Sequence, residues 1–294
     1  MFFLFLFAIM ALMYIYFFLI MSFIFGAIMG SFLHVLASRY RSKKGITGRS
    51  HCLSCGKTLA WYELIPIISF LIQKGKCRTC SARIPRDVFW SELLTAFIFL
   101  LISARAFILG QASYFFSTQY HIASFFLFLV FSLLMVIFWY DFHYKIIPDE
   151  LSYAFSTLAF LSLFFFSFSN GVFLYQGFHY PRLGQVLAGA IVPLPFFLIW
   201  VVSKGRWIGL GDPKLMIGIG FLLGISLGFS AVMLSFWIAF LWLIFFALKQ
   251  ILFKDYRLEI FKKKDIMKVE VPFGPFLILG TLFVIITSLN LFQF

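Results

Sequence analysis

Apolar residues in this chain come in long runs instead of alternating with polar ones. The first run, residues 2–37, contains no Asp, Glu, Lys or Arg. Others lie near 88–109, 121–140, 151–170, 184–203, 213–227, 228–248 and 271–292. A helix that crosses a hydrocarbon core of about 30 Å needs about 20 predominantly apolar residues. The pattern therefore predicts an all-α integral membrane protein of about eight transmembrane helices, with the first span at 14–37. As one helix, residues 2–37 would be about 54 Å long, far more than the core. Either Gly26 and Gly30 break or bend it, or the first dozen residues form a separate interfacial segment. No basic n-region precedes this run and no polar stretch follows for release, so it does not have the pattern of a cleaved signal peptide. A second over-long run, 213–248, is expected to divide near Gly224–Gly228. No internal repeat is visible.

Composition sharpens this picture. Of the 294 residues, 63% are apolar and 12% charged. Soluble domains carry about 45–50% and about 25%. An ordinary cytosolic enzyme is excluded, and so is a disordered chain, which needs low hydrophobicity. The net charge is +13, but its placement matters more than its size. Of the 24 Lys and Arg, all but Arg105 and Arg182 fall in four segments: 38–87, Lys145, Lys204 to Lys214, and 249–270. Eight spans put all four segments on one side, and short loops rich in Lys and Arg stay in the cytoplasm. Both termini are then expected on the extracytoplasmic side. The run Lys262-Lys263-Lys264 is expected to face water and anionic headgroups, and no nucleic-acid partner is expected. Three parts follow: an N-terminal extension and first span at 1–37, a cytoplasmic loop domain at 38–87, and a membrane domain at 88–294.

All four cysteines lie in that loop domain. Cys52-x2-Cys55 is followed, after 21 residues, by Cys77-x2-Cys80. Each CxxC forms a knuckle presenting two sulfurs to one ion, so the pairs predict a tetrahedral zinc site. Metal binding would substitute for a core that a short polar loop cannot build. A reducing cytoplasm argues against disulfides. Four thiolates fill the coordination shell, so the site is expected to be structural.

Carboxylates are scarce. Between Glu92 and Asp255 there are only Asp141, Asp149, Glu150 and Asp212. Asp141 ends an apolar run, and Asp212, in Gly209-Leu210-Gly211-Asp212, precedes another. Ionisable residues in membrane helices are costly and mark function by default. Helix capping is the competing explanation. Asp212 before Pro213 fits an N-cap with Pro at N1, and Asp149 after Pro148 fits a cap for the helix that follows. Asp141 fits no cap, because a negative charge at a helix C-terminus opposes the dipole. If both Asp141 and Asp212 border the same membrane face, the two can meet.

These residues resemble the type 4 prepilin peptidases, bifunctional leader peptidases and N-methyltransferases of the bacterial inner membrane. Gly30-Ser31-Phe32-Leu33 with Val35 and Arg39 is similar to the family's first-span motif. Leu59-Ala60-Trp61-Tyr62-Glu63 and Lys74-Gly75-Lys76-Cys77-Arg78 resemble its cysteine loop. Asp141 with Ile147-Pro148-Asp149 resembles the first catalytic motif, Gly209-Leu210-Gly211-Asp212-Pro213-Lys214 the GxGDxK motif, and Val271-Pro272-Phe273-Gly274-Pro275-Phe276 the last-span motif. The chain departs from the pattern at His34, where Asn is usual, at Leu53, where Pro is usual, and in residues 1–13, which extend beyond the usual start. The resemblance implies an aspartic peptidase in the membrane domain with Asp141 and Asp212 catalytic, acting on prepilins or pseudopilins. It also implies methylation of the new N-terminus from S-adenosylmethionine. No glycine-rich nucleotide loop marks where that cofactor binds. Two rivals predict otherwise. A transporter would use the aspartates as an ion pathway, but such acids more often lie near the midplane of repeated halves. A zinc-bearing assembly protein would need no catalytic pair.

Overall fold

The computed structural model describes residues 2–40, 48–169, 171–253 and 271–292. The Lys262-Lys263-Lys264 run lies outside them. The chain divides into two compact units, Met1–Trp139 and Tyr140–Phe294.

In the first unit, α1 (Phe2–Arg39) is one continuous helix of 38 residues, about 57 Å long. Gly26 and Gly30 do not break it. They stand four residues apart on the face that meets α3 (Arg86–Ile108). A Cβ on Gly26 would come 2.7 Å from the Ala96 Cα, and one on Gly30 would come 2.6 Å from the Ser91 carbonyl oxygen. Between membrane helices, packing replaces the hydrophobic effect, and small residues let backbones approach closely. The two glycines thus set an interhelical contact. Next in the chain, α4 (Thr118–Tyr144) packs on α3 through Phe99 and Phe128, whose rings stack with centroids 4.3 Å apart. Arg105 is wholly buried near the end of α3. It donates to the Ile102 carbonyl at 2.7 Å and the Ser124 hydroxyl at 3.0 Å, and lies 4.2 Å above the Tyr120 ring.

The loop between α1 and α3 carries a short helix, α2 (Ile68–Ile72). Its entry is a γ-turn centred on Ile67, with φ 64° and ψ −54° and the Ile68 N–H donating to the Pro66 carbonyl at 2.6 Å. Such a turn is strained, the more so at a β-branched residue. Its outward N–H, from Ile67 itself, donates to the Glu92 carboxylate at 2.6 Å. Glu92 is buried in the second turn of α3. Leaving that N–H buried without an acceptor costs about 1–3 kcal/mol. Glu92→Ala should therefore loosen this turn and open residues 60–75 to limited proteolysis. Glu92→Gln retains an acceptor oxygen and should stay resistant. Equal nicking of the two variants would show that the carboxamide cannot replace the carboxylate there.

In the second unit, α5 (Asp149–Ser162) stops well short of residue 170. The chain then forms a two-stranded hairpin, β1 (Phe166–Ser169) and β2 (Val172–Tyr175), with Phe166 opposite Tyr175 and Ser169 opposite Val172. The expected span at 151–170 is replaced by this helix and strand. Its alternating Phe-Ser-Phe-Ser and the following Asn170-Gly171 have the hairpin pattern, and Gly171 has φ +81°. After the hairpin come α6 (Leu183–Ile191) and α7 (Leu194–Ser203), separated at Val192-Pro193. The helix α8 (Gly211–Phe253) contains Gly224 at φ 80° and ψ −176°. That conformation is essentially confined to glycine, and it divides α8 where the sequence suggested a break. The last helix is α9 (Gly274–Thr287).

Five stretches among the described residues are long and apolar enough to cross a membrane: Ile9–Arg39, Arg86–Ile108, Thr118–Tyr144, Leu183–Ser203 and Gly211–Leu248. The protein is a mostly helical membrane protein. Eight full-length helices are not found among the described residues. With 14 residues each, α5 and α9 reach about 21 Å, and the two expected spans at 213–227 and 228–248 are halves of α8.

Candidate active site and cysteine cluster

Asp141 and Asp212 line one cavity of about 1280 Å³ in the second unit. Its wall also includes Lys145, Asp149, Arg206, Trp207 and Lys214, with Phe196, Phe236 and Phe273 on the apolar side. Each aspartate is placed by a helix end. The α4 helix terminates because Lys145 adopts a left-handed conformation (φ 56°) and returns its N–H to the Asp141 carbonyl at 2.7 Å. The Asp141 side chain is buried, and its Oδ2 accepts the Gly274 N–H at 3.0 Å. Gly274 opens α9. A carboxylate that opposes the dipole of its own helix is thereby held at the positive end of another.

Asp212 lies in the first turn of α8, itself a helix N-terminus. It is inside the helix and so is not the N-cap. Gly211 ahead of it is needed for close approach, since a Cβ there would fall 2.9 Å from the Ile147 Cβ. Asp149 is not the N-cap of α5 either, because Pro148 occupies that position. Its carboxylate instead accepts from the Lys214 ammonium at 2.8 Å. The Asp149–Lys214 pair joins the Ile-Pro-Asp and Gly-x-Gly-Asp-x-Lys segments beside the two aspartates.

The four cysteines meet in the first unit, with their sulfurs all within 4.8 Å of one another. The two knuckles are built alike. In one, the Cys52 N–H donates to the Lys57 carbonyl and the Gly56 N–H to the Cys52 carbonyl. In the other, Cys77 pairs in the same way with Ala82 and Ser81. Gly56 and Ser81, at matching places, both have positive φ. The Cys55 and Ser54 N–H groups pull the Cys52 thiol down to about 6. Cys80 accepts the Ala82 N–H, yet desolvation and the thiols of Cys55, Cys77 and Cys52 push it up to about 11. Sulfurs this crowded cannot all ionise without a cation, and a tetrahedral dication suits the set. Beside the cluster, buried Glu63 takes the Ala60 N–H at 2.9 Å and the Lys57 ammonium at 3.2 Å.

Comparison with known proteins places these features. Residues 24–106 match the Bacterial Peptidase A24 N-terminal domain, and residues 128–248 match the Type IV leader peptidase family. A Bacillus subtilis (strain 168) protein named prepilin leader peptidase/N-methyltransferase is 32% identical over 214 residues, covering 72% of this chain and 77% of that protein. The chain belongs to the type IV leader peptidase family. A Vibrio cholerae protein of the same name is 28% identical over 235 residues, covering 77% of this chain and 85% of that protein. A Myxococcus xanthus protein, again so named, is 38% identical over 89 residues, covering 30% of this chain and 27% of that protein. No solved structure matches the chain.

As a leader-peptidase family member the chain is an enzyme, and its cavity brings together sequence landmarks from α4, α5, α8 and the residues just before α9. The motif around Gly274 was visible in the sequence without a role; the structure gives it one, as the donor to Asp141. The Asp149–Lys214 pair could have been suspected, since both residues sit inside the two aspartate motifs. Lys145, Arg206 and Trp207 gave no sequence signal beyond their charge or ring.

Proposed function

We propose that this protein removes the leader peptide from type 4 prepilins or pseudopilins at the cytoplasmic face of the bacterial inner membrane, with Asp141 and Asp212 as the catalytic pair. The single observation that carries this reading is one cavity lined by both carboxylates, each at a helix N-terminus, in a chain of the leader-peptidase family. Two nearby carboxylates share a proton more readily than they both ionise. The ionised one takes a proton from water, whose oxygen attacks the scissile carbonyl. The protonated one donates to the carbonyl oxygen. Collapse of the tetrahedral intermediate breaks the C–N bond, and the departing amine takes up a proton. The transporter reading is less well supported, because these acids sit at helix ends that border loops.

The new amine would then be methylated, with S-adenosylmethionine supplying the methyl group; no residue of this chain is assigned to that cofactor. Cys52, Cys55, Cys77 and Cys80 would hold one zinc ion. Its role is to shape the loop, since four sulfurs leave no open position. The lipid bilayer and the prepilin are the partners, and the loop domain, rich in Lys and Arg, would stay on the cytoplasmic side.

Gly274 offers a test separate from the acids themselves. A Cβ there would sit 2.7 Å from the Asp141 Oδ2. Gly274→Ala should displace that carboxylate while leaving its chemistry intact. Misplacement by about 1 Å can cost about 100-fold in rate. Cleavage of a purified prepilin by the reconstituted variant should fall to that extent, with the protein still folded and inserted. Unchanged cleavage would show that Asp141 need not be held where it is seen.

A further inference from the structure

The cysteine loop contains a surface that neither zinc binding nor peptide cleavage explains. Residues 64–72 read Leu-Ile-Pro-Ile-Ile-Ser-Phe-Leu-Ile. Of these, Ile65, Ile68, Leu71 and Ile72 are exposed by 37%, 54%, 59% and 66%. Trp61 and Tyr62 lie exposed just before them. A contiguous apolar surface of this kind is not left to water.

Two observations fix what covers it. The first is depth. The γ-turn at Ile67 is tied to Glu92, six residues into the span that begins at Arg86, about 9 Å along its axis. The Phe70 ring stacks on Phe89 of the same helix with centroids 5.0 Å apart. The segment therefore lies beside the first turns of a membrane-crossing helix, on which Trp90 is also exposed. The second observation is charge. Lys74 and Gly75 both have positive φ and turn the chain away from α2. Lys74 and Lys76 follow the apolar segment directly. Apolar residues bordered by aromatic rings and lysines are the pattern of a segment lying in the membrane interface.

We infer that residues 64–72 form a wedge in the leaflet that the start of α3 enters, with Ile65, Ile68, Leu71 and Ile72 among the acyl chains and Lys74 and Lys76 at anionic headgroups. The strained turn at Ile67 is what aims α2 outward. The wedge fixes the height and tilt of the metal-binding loop against the bilayer.

The test uses the full-length protein with p-benzoylphenylalanine at Leu71 or Ile72, reconstituted into vesicles of phosphatidylcholine and phosphatidylglycerol. Phe97, exposed on α3, serves as the lipid-facing control, and Thr79, exposed on a knuckle, as the water-facing one. Bound zinc confirms that each variant keeps a folded loop. On illumination, lipid adducts at Leu71 and Ile72 should come within about twofold of Phe97 and exceed Thr79 by about tenfold or more, as for an interfacial segment. Adduct yields at the Thr79 level would overturn the inference, as would crosslinks to a second copy of the chain in place of lipid. No peptidase assay enters, so failure here is distinct from failure of the proposed function.

Discussion

Replacing Asp141 or Asp212 with Asn should reduce prepilin cleavage by about 1000-fold or more, and the double variant should lose little further, because the members of a catalytic unit are not additive. Asn preserves size and hydrogen-bonding capacity but cannot take the proton from water or share one with its neighbour. In Asp141→Asn the new carboxamide oxygen can still accept the Gly274 N–H, so the single variant should keep the contact that positions the side chain. Asp149→Asn is the internal comparison. That carboxylate also lines the cavity, but it is 54% exposed and paired with Lys214. An exposed pair is worth up to about 1 kcal/mol, so cleavage should fall modestly. The measurement is the rate of conversion of purified prepilin by each variant in vesicles. Loss of activity in Asp149→Asn with survival in Asp141→Asn would mean that the wrong carboxylate had been assigned. Tolerance of Asn at both Asp141 and Asp212 would end the aspartic-peptidase reading.

The second large effect concerns the metal. Purified protein should contain about one zinc ion per chain, and Cys77→Ser should remove most of it. Structural zinc contributes apparent free energies of about 10–16 kcal/mol in small domains. Loss of one ligand, or exhaustive chelation, should therefore unfold the two knuckles and expose residues 48–85 to protease while the apolar helices stay inserted. Elemental analysis and limited proteolysis read the two effects separately. Full zinc retention by Cys77→Ser would rule out the four-sulfur site. The Asp141 cavity is lined entirely by residues 141–273, so cleavage should fall far less than in the Asp→Asn variants.

The helical membrane architecture was legible because it depends on the length of apolar runs, which a sequence displays directly. The cysteine cluster was legible because ligand spacing is local. For the over-long first run the sequence left open a bend at Gly26 and Gly30 or a separate first segment, and their actual role as a contact with α3 was hidden, since a sequence does not show which helix a small residue faces. The hairpin at 166–175 was missed because run length outweighed the alternation of Phe and Ser and the Asn-Gly pair. At the cavity, Asp141 and Asp212 stood out by being acids bordering apolar runs. What holds Asp141 was hidden, because the donor is a backbone N–H 133 residues away and carries no side-chain signature. Asp149 and Asp212 looked like caps because Pro adjacency is a local cue; the Asp149–Lys214 pair forms only once two distant helix ends are brought together.

The contact at Gly26 and Gly30 has an energetic reach beyond the bilayer. The cysteine loop is tethered at one end to α1 and at the other to α3, so the closeness of these helices fixes the separation of its ends. Bringing the ends of a loop together costs entropy, and the glycine contact has already met that cost before any ion arrives. With zinc held as proposed, its affinity and the helix association are linked quantities, each strengthened by the other to the same degree. A branched residue such as Val at Gly30, deep in the apolar run and carrying no sulfur, should raise the free zinc concentration needed to fill the site.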